Sequence, residues 1–256
     1  MILRILCCVL SLIPVCLSQI NGAEAYQRFL EWKKDPQVAA LRWEDAIQRY
    51  KGILKSQGAS SDEIEKTINV INARDEAVLY DQIYSKPARF QISPNRLLME
   101  AVKGRTPGKA LDVGMGQGRN AIFLAKQGWK VTGFDVSETG LTEAKRLAAV
   151  AGVQIDMVHT SDEEFDFGTS QWDLIAILYP IEKRSVHRVA AALKMGGIVV
   201  VECAHKEAGN SPFEYDSNEL LQIFQGFRIL KYEDLPGIHD WNRKELRMVR
   251  LVAQKQ

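Results

Sequence analysis

Beyond Gly108 short apolar runs alternate with helical stretches, and this alternation constrains the fold more than any other feature of the chain. Runs at 109–113, 130–134, 154–159, 172–178 and 198–202 have the length of strands. Helical patterns at 120–127, 138–151 and about 182–194 lie between them. Such a succession gives a parallel sheet covered by helices on both faces. A last helix is expected at 217–225, capped by Ser217. Residues 227–232 and 245–253 then form two strands joined by a loop, which pair antiparallel at the sheet edge. The expected architecture is a seven-stranded, mostly parallel α/β sheet with an antiparallel carboxy-terminal pair.

The first strand runs into LDVGMGQGRN at 111–120, with glycines at Gly114, Gly116 and Gly118. A glycine turn between strand and helix presents bare N–H groups at a helix start, which suits a polar or anionic ligand. A dinucleotide or a sulfonium-bearing nucleoside would each use such a loop. The dinucleotide fingerprint G-x-G-x-x-G needs a third glycine where this chain has Arg119, so the loop disfavours a pyrophosphate. Asp135 closes the second strand at the same sheet edge, where a carboxylate can accept both hydroxyls of a ribose. Its plainer reading is a helix cap, a role that Ser137 fills equally well. Asp162 follows the third strand and can accept from an adenine amino group; its plainer reading is a solvated charge within Asp162-Glu163-Glu164.

The amino-terminal part reads differently. One arginine, Arg4, precedes an apolar run at 5–17, and Ala23-Glu24-Ala25 supplies an A-x-A exit. This is the layout of a secretory signal at 1–25, which makes the protein exported; without cleavage, 5–17 would be a membrane anchor. The run is too short for a spanning helix and contains Pro14, so no stable membrane span is expected after signal removal. Three of the four cysteines lie in that segment, leaving Cys203 as a buried small hydrophobe and no internal disulfide.

Residues 26–93 form a helical extension with a linker. Asp35-Pro36 opens one helix, Gly58 stops it, and Ser60 with Glu63 makes a capping box for a second, antiparallel one. The second helix has one apolar face, broken at Asp75. Residues 84–94, with two prolines, read as linker, and 95–103 as a short helix opening the domain at 94–256.

The glycine loop, the Asp135 strand end, the acidic loop at Asp162, the WDLI strand and LKMGGIVVVE together resemble the class I methyltransferases that use S-adenosylmethionine. GQGRN followed by GWKVTGFD is especially similar to the tellurite-resistance-type branch. The resemblance covers 94–256 and implies a Rossmann-like sheet. It implies that Asp112, Gly114, Gly116 and Gly118 line the methionine part of the cofactor, with Arg119 and Asn120 opening the helix beside it. It places the ribose on Asp135, the adenine by Ser161 and Asp162, the methyl group before Tyr179 and Pro180, and Arg89 and Phe90 at the cofactor from the preceding segment.

Methyl transfer from a sulfonium needs approach geometry and exclusion of water more than an acid–base apparatus. Tyr179 and His239 are the candidate catalytic residues, with His205 and Asp240 as further groups for the acceptor side. The related branch has arginine after the histidine where this chain has Asp240, so an oxyanion acceptor would lose a positive partner. Basic and acidic residues number 33 and 32, and no basic stripe carries interleaved aromatics, so the expected acceptor is a small molecule and not nucleic acid. No cysteine–histidine cluster has metal-ligand spacing, and oligomeric state is not legible. Two other readings stand beside the methyltransferase: an exported, non-enzymatic binding or scaffold protein that keeps the fold, and an NAD-dependent oxidoreductase.

Overall fold

The computed structural model describes residues 21–86, 93–178, 183–208, 214–239 and 243–256. They fall into two compact units, divided between Glu76 and Ala77.

The first unit is helical: α1 (Gly22–Lys33), α2 (Pro36–Ala39), α3 (Trp43–Ser56) and the first part of α4 (Ser61–Tyr84). Asp35 caps α2 by accepting the Gln37 N–H at 2.8 Å, with Pro36 at the first helical position. The single helix expected from there to Gly58 is in fact two. Arg42 turns extended (φ −60°, ψ 157°) and restarts the chain as α3, whose first turn carries Glu44 and Asp45. Acids there favour a new helix start. The capping box is present: the Ser60 N–H donates to Glu63 at 2.9 Å, and the Glu63 N–H donates back to Ser60 Oγ at 3.3 Å. Asp75, the polar break in an apolar face, accepts the Tyr26 hydroxyl at 3.0 Å. Phe29, Ala46, Tyr50, Leu54, Ile68 and Ile71 form the core of this unit. The A-x-A sequence lies in the first turn of α1, where Ala25 is buried. Residues 1–20 of the expected signal, like Arg89, Phe90, Tyr179, Pro180 and Asp240, lie outside the described residues.

In the second unit α5 (Arg96–Val102) precedes β1 (Lys109–Val113), α6 (Arg119–Lys126), β2 (Lys130–Asp135), α7 (Glu138–Val150), β3 (Asp156–His159) and β4 (Trp172–Ile177). Then come α8 (Lys183–Ala192), β5 (Leu193–Ala204), a 3-10 turn, α9 (Glu219–Ile223), β6 (Arg228–Ile238) and β7 (Glu245–Gln254). Among the described residues seven strands form one sheet in the order β3-β2-β1-β4-β5-β7-β6. The first five pair in parallel, and β7 is antiparallel to both β5 and β6. A dinucleotide-binding sheet runs 3-2-1-4-5-6 in parallel throughout. The antiparallel β7, inserted between β5 and β6, separates this fold from that one and counts against the oxidoreductase.

The central strands are apolar on both faces, as a doubly covered sheet requires. Leu111, Val113, Ile175, Ile177, Val199 and Val201 point to one side, toward Val186 and Val189 of α8 and Leu220 of α9. Ala110, Leu174, Ala176, Ile198 and Val200 point to the other, toward Leu98 of α5, Leu124 of α6 and Ala144 of α7. The last helix departs from expectation. It starts at Glu219 after Asn218, which adopts φ 65°, and Ser217 does not cap it. The Ser217 hydroxyl is held elsewhere, donating to Asp234 at 2.5 Å.

Candidate cofactor site

The carboxyl ends of β1 and β2 place two buried acids side by side. Asp112 lies on β1, within one residue of its end, and points to the α6 face; Asp135 is the last residue of β2. α6 begins at Gly118, which has no side chain to cap it and a φ of 80°. Asp112 supplies the missing cap from the strand, accepting the Ala121 N–H. Its second oxygen, Oδ2, is buried and has no hydrogen-bond partner among the described residues. Burial first, then the nearby Asp135 charge, pushes the Asp112 carboxyl up to about 7, against the opposing pull of Arg119 and the Ala121 N–H.

Gly114, beside it, adopts φ 63°, and a Cβ there would meet nothing within 4 Å among the described residues. An orphaned buried acceptor next to an uncovered stretch of main chain fits the ammonium and backbone of an amino-acid ligand. The residues therefore suit the methionyl end of S-adenosylmethionine: Asp112 would hold its amino group and Gly114 would leave room for its chain.

Asp135 does more than wait for a ribose. One oxygen accepts the Gly116 N–H at 2.7 Å and the other accepts the Ser137 N–H at 2.8 Å. The acid thus ties the glycine loop to the start of α7. Burial raises its pKa, and the two N–H bonds work against that rise. Ser137 caps α7 through the Gly140 N–H at 2.9 Å, so the cap that Asp135 might have provided is indeed taken by Ser137.

Gly116 and Gly118 do not face the open space of Gly114. A Cβ on Gly118 would stand 3.1 Å from Ala144, so that glycine lets α6 approach α7. A Cβ on Gly116 would stand 3.0 Å from Cζ of Tyr84 and closer still to its hydroxyl. The bare main chain at 116 accommodates a residue of this same protein. Arg119 and Asn120 also turn to internal partners. Arg119 donates to the Ser93 carbonyl at 2.9 Å, and Asn120 accepts the Asn95 N–H at 2.8 Å. Together they hold the segment entering α5 against the loop.

In the turn after β3 Ser161 is buried, and its hydroxyl accepts the Glu164 N–H at 3.3 Å, shaping a turn through Phe165. The carbonyls of this turn converge on Arg188 of α8. Its guanidinium donates to Glu163 at 3.1 Å, to Phe165 at 3.3 Å and to Asp162, and lies 4.8 Å over the Phe167 ring. Arg188 was invisible as a site-shaping residue in the sequence, where it is one basic residue in a helical pattern.

The histidines part company from this cluster. His205 is buried at the end of β5; its Nδ1 accepts the Glu207 N–H at 3.1 Å, so in the neutral ring Nε2 carries the proton toward Ser217 Oγ at 3.2 Å. Ser217 gives its own proton to Asp234, and Arg247 brackets both. The order is the reverse of a nucleophile–base pair, and His205 is a fixed link between β5 and the β6–β7 hairpin. His239 is buried just after β6, its main chain closing the turn to Arg243 and Lys244. β6 lies four strand positions from β1, roughly 19 Å at ordinary strand spacing.

No described helix is long and apolar enough to cross a membrane, and no group of three or more metal-ligating side chains occurs among the described residues.

Comparison with known proteins agrees with this geometry. Residues 110–197 match a family profile described as a methyltransferase domain. The chain is 30% identical over 145 residues to a ribosomal RNA small subunit methyltransferase C of Alcanivorax borkumensis, covering 50% of this chain and 42% of the relative. It is 33% identical over 117 residues to a ubiquinone biosynthesis O-methyltransferase of Erwinia tasmaniensis, covering 43% and 48% respectively. It thus spans less than half the length of these two curated relatives. The fold is shared with the crystal structure of TehB from Haemophilus influenzae (TM-score 0.55, 19% identity, 71% of this chain and 67% of that one). Residues 110–197 thus carry a methyltransferase domain, on a sheet of the kind found in the S-adenosylmethionine-dependent methyltransferases.

Proposed function

We propose that the protein transfers a methyl group from S-adenosylmethionine to a small-molecule acceptor. The observation that carries this reading is the unpartnered, buried Oδ2 of Asp112 beside the open main chain of Gly114. When bound, the cofactor supplies a methyl group on a positively charged sulfur that is already a good leaving group. The chain's part is to bind and orient. Asp112 would take the amino group, Asp135 the ribose hydroxyls, and the Ser161–Asp162 turn, braced by Arg188, the adenine edge. Asp135 can do so with lone pairs not used by Gly116 and Ser137, since each carboxylate oxygen accepts more than one hydrogen bond. Tyr179 and His239 stand as the residues for the acceptor side.

The near balance of 33 basic and 32 acidic residues supports a small molecule over a polynucleotide, whose phosphates attract clustered cations. Transfer of radiolabelled methyl from the cofactor to a panel of quinols, catechols, thiols and oxyanions, with ribosomal RNA alongside, tests the reading. Label in one small-molecule class supports it. Label confined to RNA replaces the acceptor, and no label anywhere while ligand still binds favours the non-enzymatic protein.

We also propose that residues 1–25 direct export. Cleavage after Ala25 takes away the first turn of α1 and its cap Asn21, which accepts the Glu24 N–H at 2.9 Å. A mature protein beginning at Tyr26 supports export; one that retains Met1 contradicts cleavage.

A further inference from the structure

The last turn of α4 lies against the glycine loop. Two glycines there, on different elements, lack a side chain where Tyr84 stands. At Gly116 the phenol takes the space, and at Gly140 a Cβ would come within 3.0 Å of Cδ2 and 3.1 Å of Cε2 of the same ring. Gly140 sits in the first turn of α7, has no positive φ, and costs that helix about 1 kcal/mol relative to alanine. Tyr84, with the Ser137 hydroxyl at 3.3 Å, is what a side chain there would strike. One turn back on α4, Asp81 accepts the Ser137 hydroxyl at 2.6 Å and the Thr139 N–H at 3.0 Å. These bonds dock α4 onto the start of α7, a helix end that attracts a carboxylate. Burial is the main cause that raises the Tyr84 pKa, followed by the charge of Asp135, so the phenol is neutral and close to both acids of the site. Asp81 feels burial in the upward direction, but its bonds to Ser137 and Thr139 carry it below the usual carboxylate range, keeping the dock charged at neutral pH.

We propose that Tyr84 is a wall of the cofactor crevice and that Asp81 is its positioning residue, so that ligand passes only when this dock opens. The proposal rests on the cofactor reading given above. It assigns a task to the end of α4, which the sequence presents as the start of a linker. The ring provides the wall and the carboxylate sets how long the wall stays in place. Ser137 joins the two acids, since its hydroxyl donates to Asp81 and its N–H donates to Asp135.

Association and dissociation rates of S-adenosylhomocysteine, measured by stopped-flow on the full chain, test this. Tyr84→Ala and Asp81→Ala should raise the dissociation rate on the order of tenfold, the usual route by which a lost closing contact is felt. Gly140→Val, which pushes against the ring and crowds the Ser137 hydroxyl that Asp81 holds, should do the same. Tyr84→Phe, which keeps the ring, should keep the wild-type rates. Amides of 80–86 should exchange more slowly with deuterium when ligand is saturating. The idea is overturned if the three disruptive variants, each with a native circular dichroism spectrum, release ligand at the wild-type rate. It is equally overturned if Tyr84→Phe behaves as Tyr84→Ala, or if exchange at 80–86 ignores the ligand. A wild-type protein that binds no S-adenosylhomocysteine counts instead against the cofactor reading.

Discussion

Asp135 holds Gly116: its Oδ2 accepts the loop N–H at 2.7 Å, from a carboxylate that is buried and also bound to Ser137. The residue expected to grip a sugar is therefore part of what builds the loop. Asp135→Ala should lower stability by roughly 1–3 kcal/mol, because two buried N–H groups lose their acceptor. Urea unfolding of the free protein measures this. A variant as stable as wild type that nevertheless fails to bind would assign Asp135 to the ligand and not to the loop.

Asp112 makes the free protein sensitive to pH. Its carboxyl is raised to about 7 in the fold, above the ordinary value of 3.8. A raised acid contributes its full stability below the unfolded pKa and loses it as pH rises through the folded one. The free protein should therefore lose stability between about pH 4 and pH 7, by an amount on the order of 4 kcal/mol. Asp135, shifted in the same direction, adds to the slope. Melting temperatures across that window should fall for wild type and flatten for Asp112→Asn. A wild-type profile as flat as the variant's would mean that Asp112 titrates as an ordinary carboxyl.

Glu202 and Arg250 face each other across β5 and β7 and pair at 2.5 Å, with Asn95 on the other carboxylate oxygen at 2.9 Å. Removing one member strands a buried charge. Arg250→Ala should cost about 3–5 kcal/mol, more than the double change Glu202→Gln with Arg250→Met. Denaturant midpoints of the two variants, compared with wild type, decide it. Equal losses would mean that solvent reaches Glu202 once the arginine is gone.

Arg188 should matter for the turn at 161–167 and little for the rest. Arg188→Ala removes the donor shared by the Glu163 and Phe165 carbonyls. Amide exchange should quicken at 161–167 and stay unchanged at 111–120. Affinity for S-adenosylhomocysteine should fall about tenfold, as for loss of one charge-assisted bond. Arg188→Lys should recover little, since an ammonium cannot fork to several carbonyls. Uniform quickening across both loops would reduce Arg188 to a general support of the fold.

Most of the sheet was legible because its strands are apolar on both faces and its helices carry regular apolar spacing. Boundaries failed where tertiary pairing overrode local pattern. β5 starts at Leu193, inside the expected helix, because Leu193 pairs with Trp172 ahead of the Gly196-Gly197 break. Ser217 looked like a cap but is drawn to Asp234 and Arg247, which are distant in sequence. The acids of the site could be read from their strand ends. Their neighbours could not. Tyr84 lies in a stretch that two prolines mark as linker, Asn95 and Glu202 meet across 107 residues, and nothing local announces either contact. Gly116 and Gly118, expected to line the cofactor, also leave room for Tyr84 and Ala144 of the chain itself. His205, offered by the sequence as an acceptor-side group, is tied into the fold by its bonds to Glu207 and Ser217.

The most direct test is a calorimetric titration of the full chain with S-adenosylhomocysteine and, separately, with NAD, in wild type and Asp112→Asn. A single saturable site for the first ligand, weakened in the variant, with no heat from the second, is the predicted result. Saturable binding of NAD, or S-adenosylhomocysteine affinity untouched by the loss of the Asp112 charge, would contradict it.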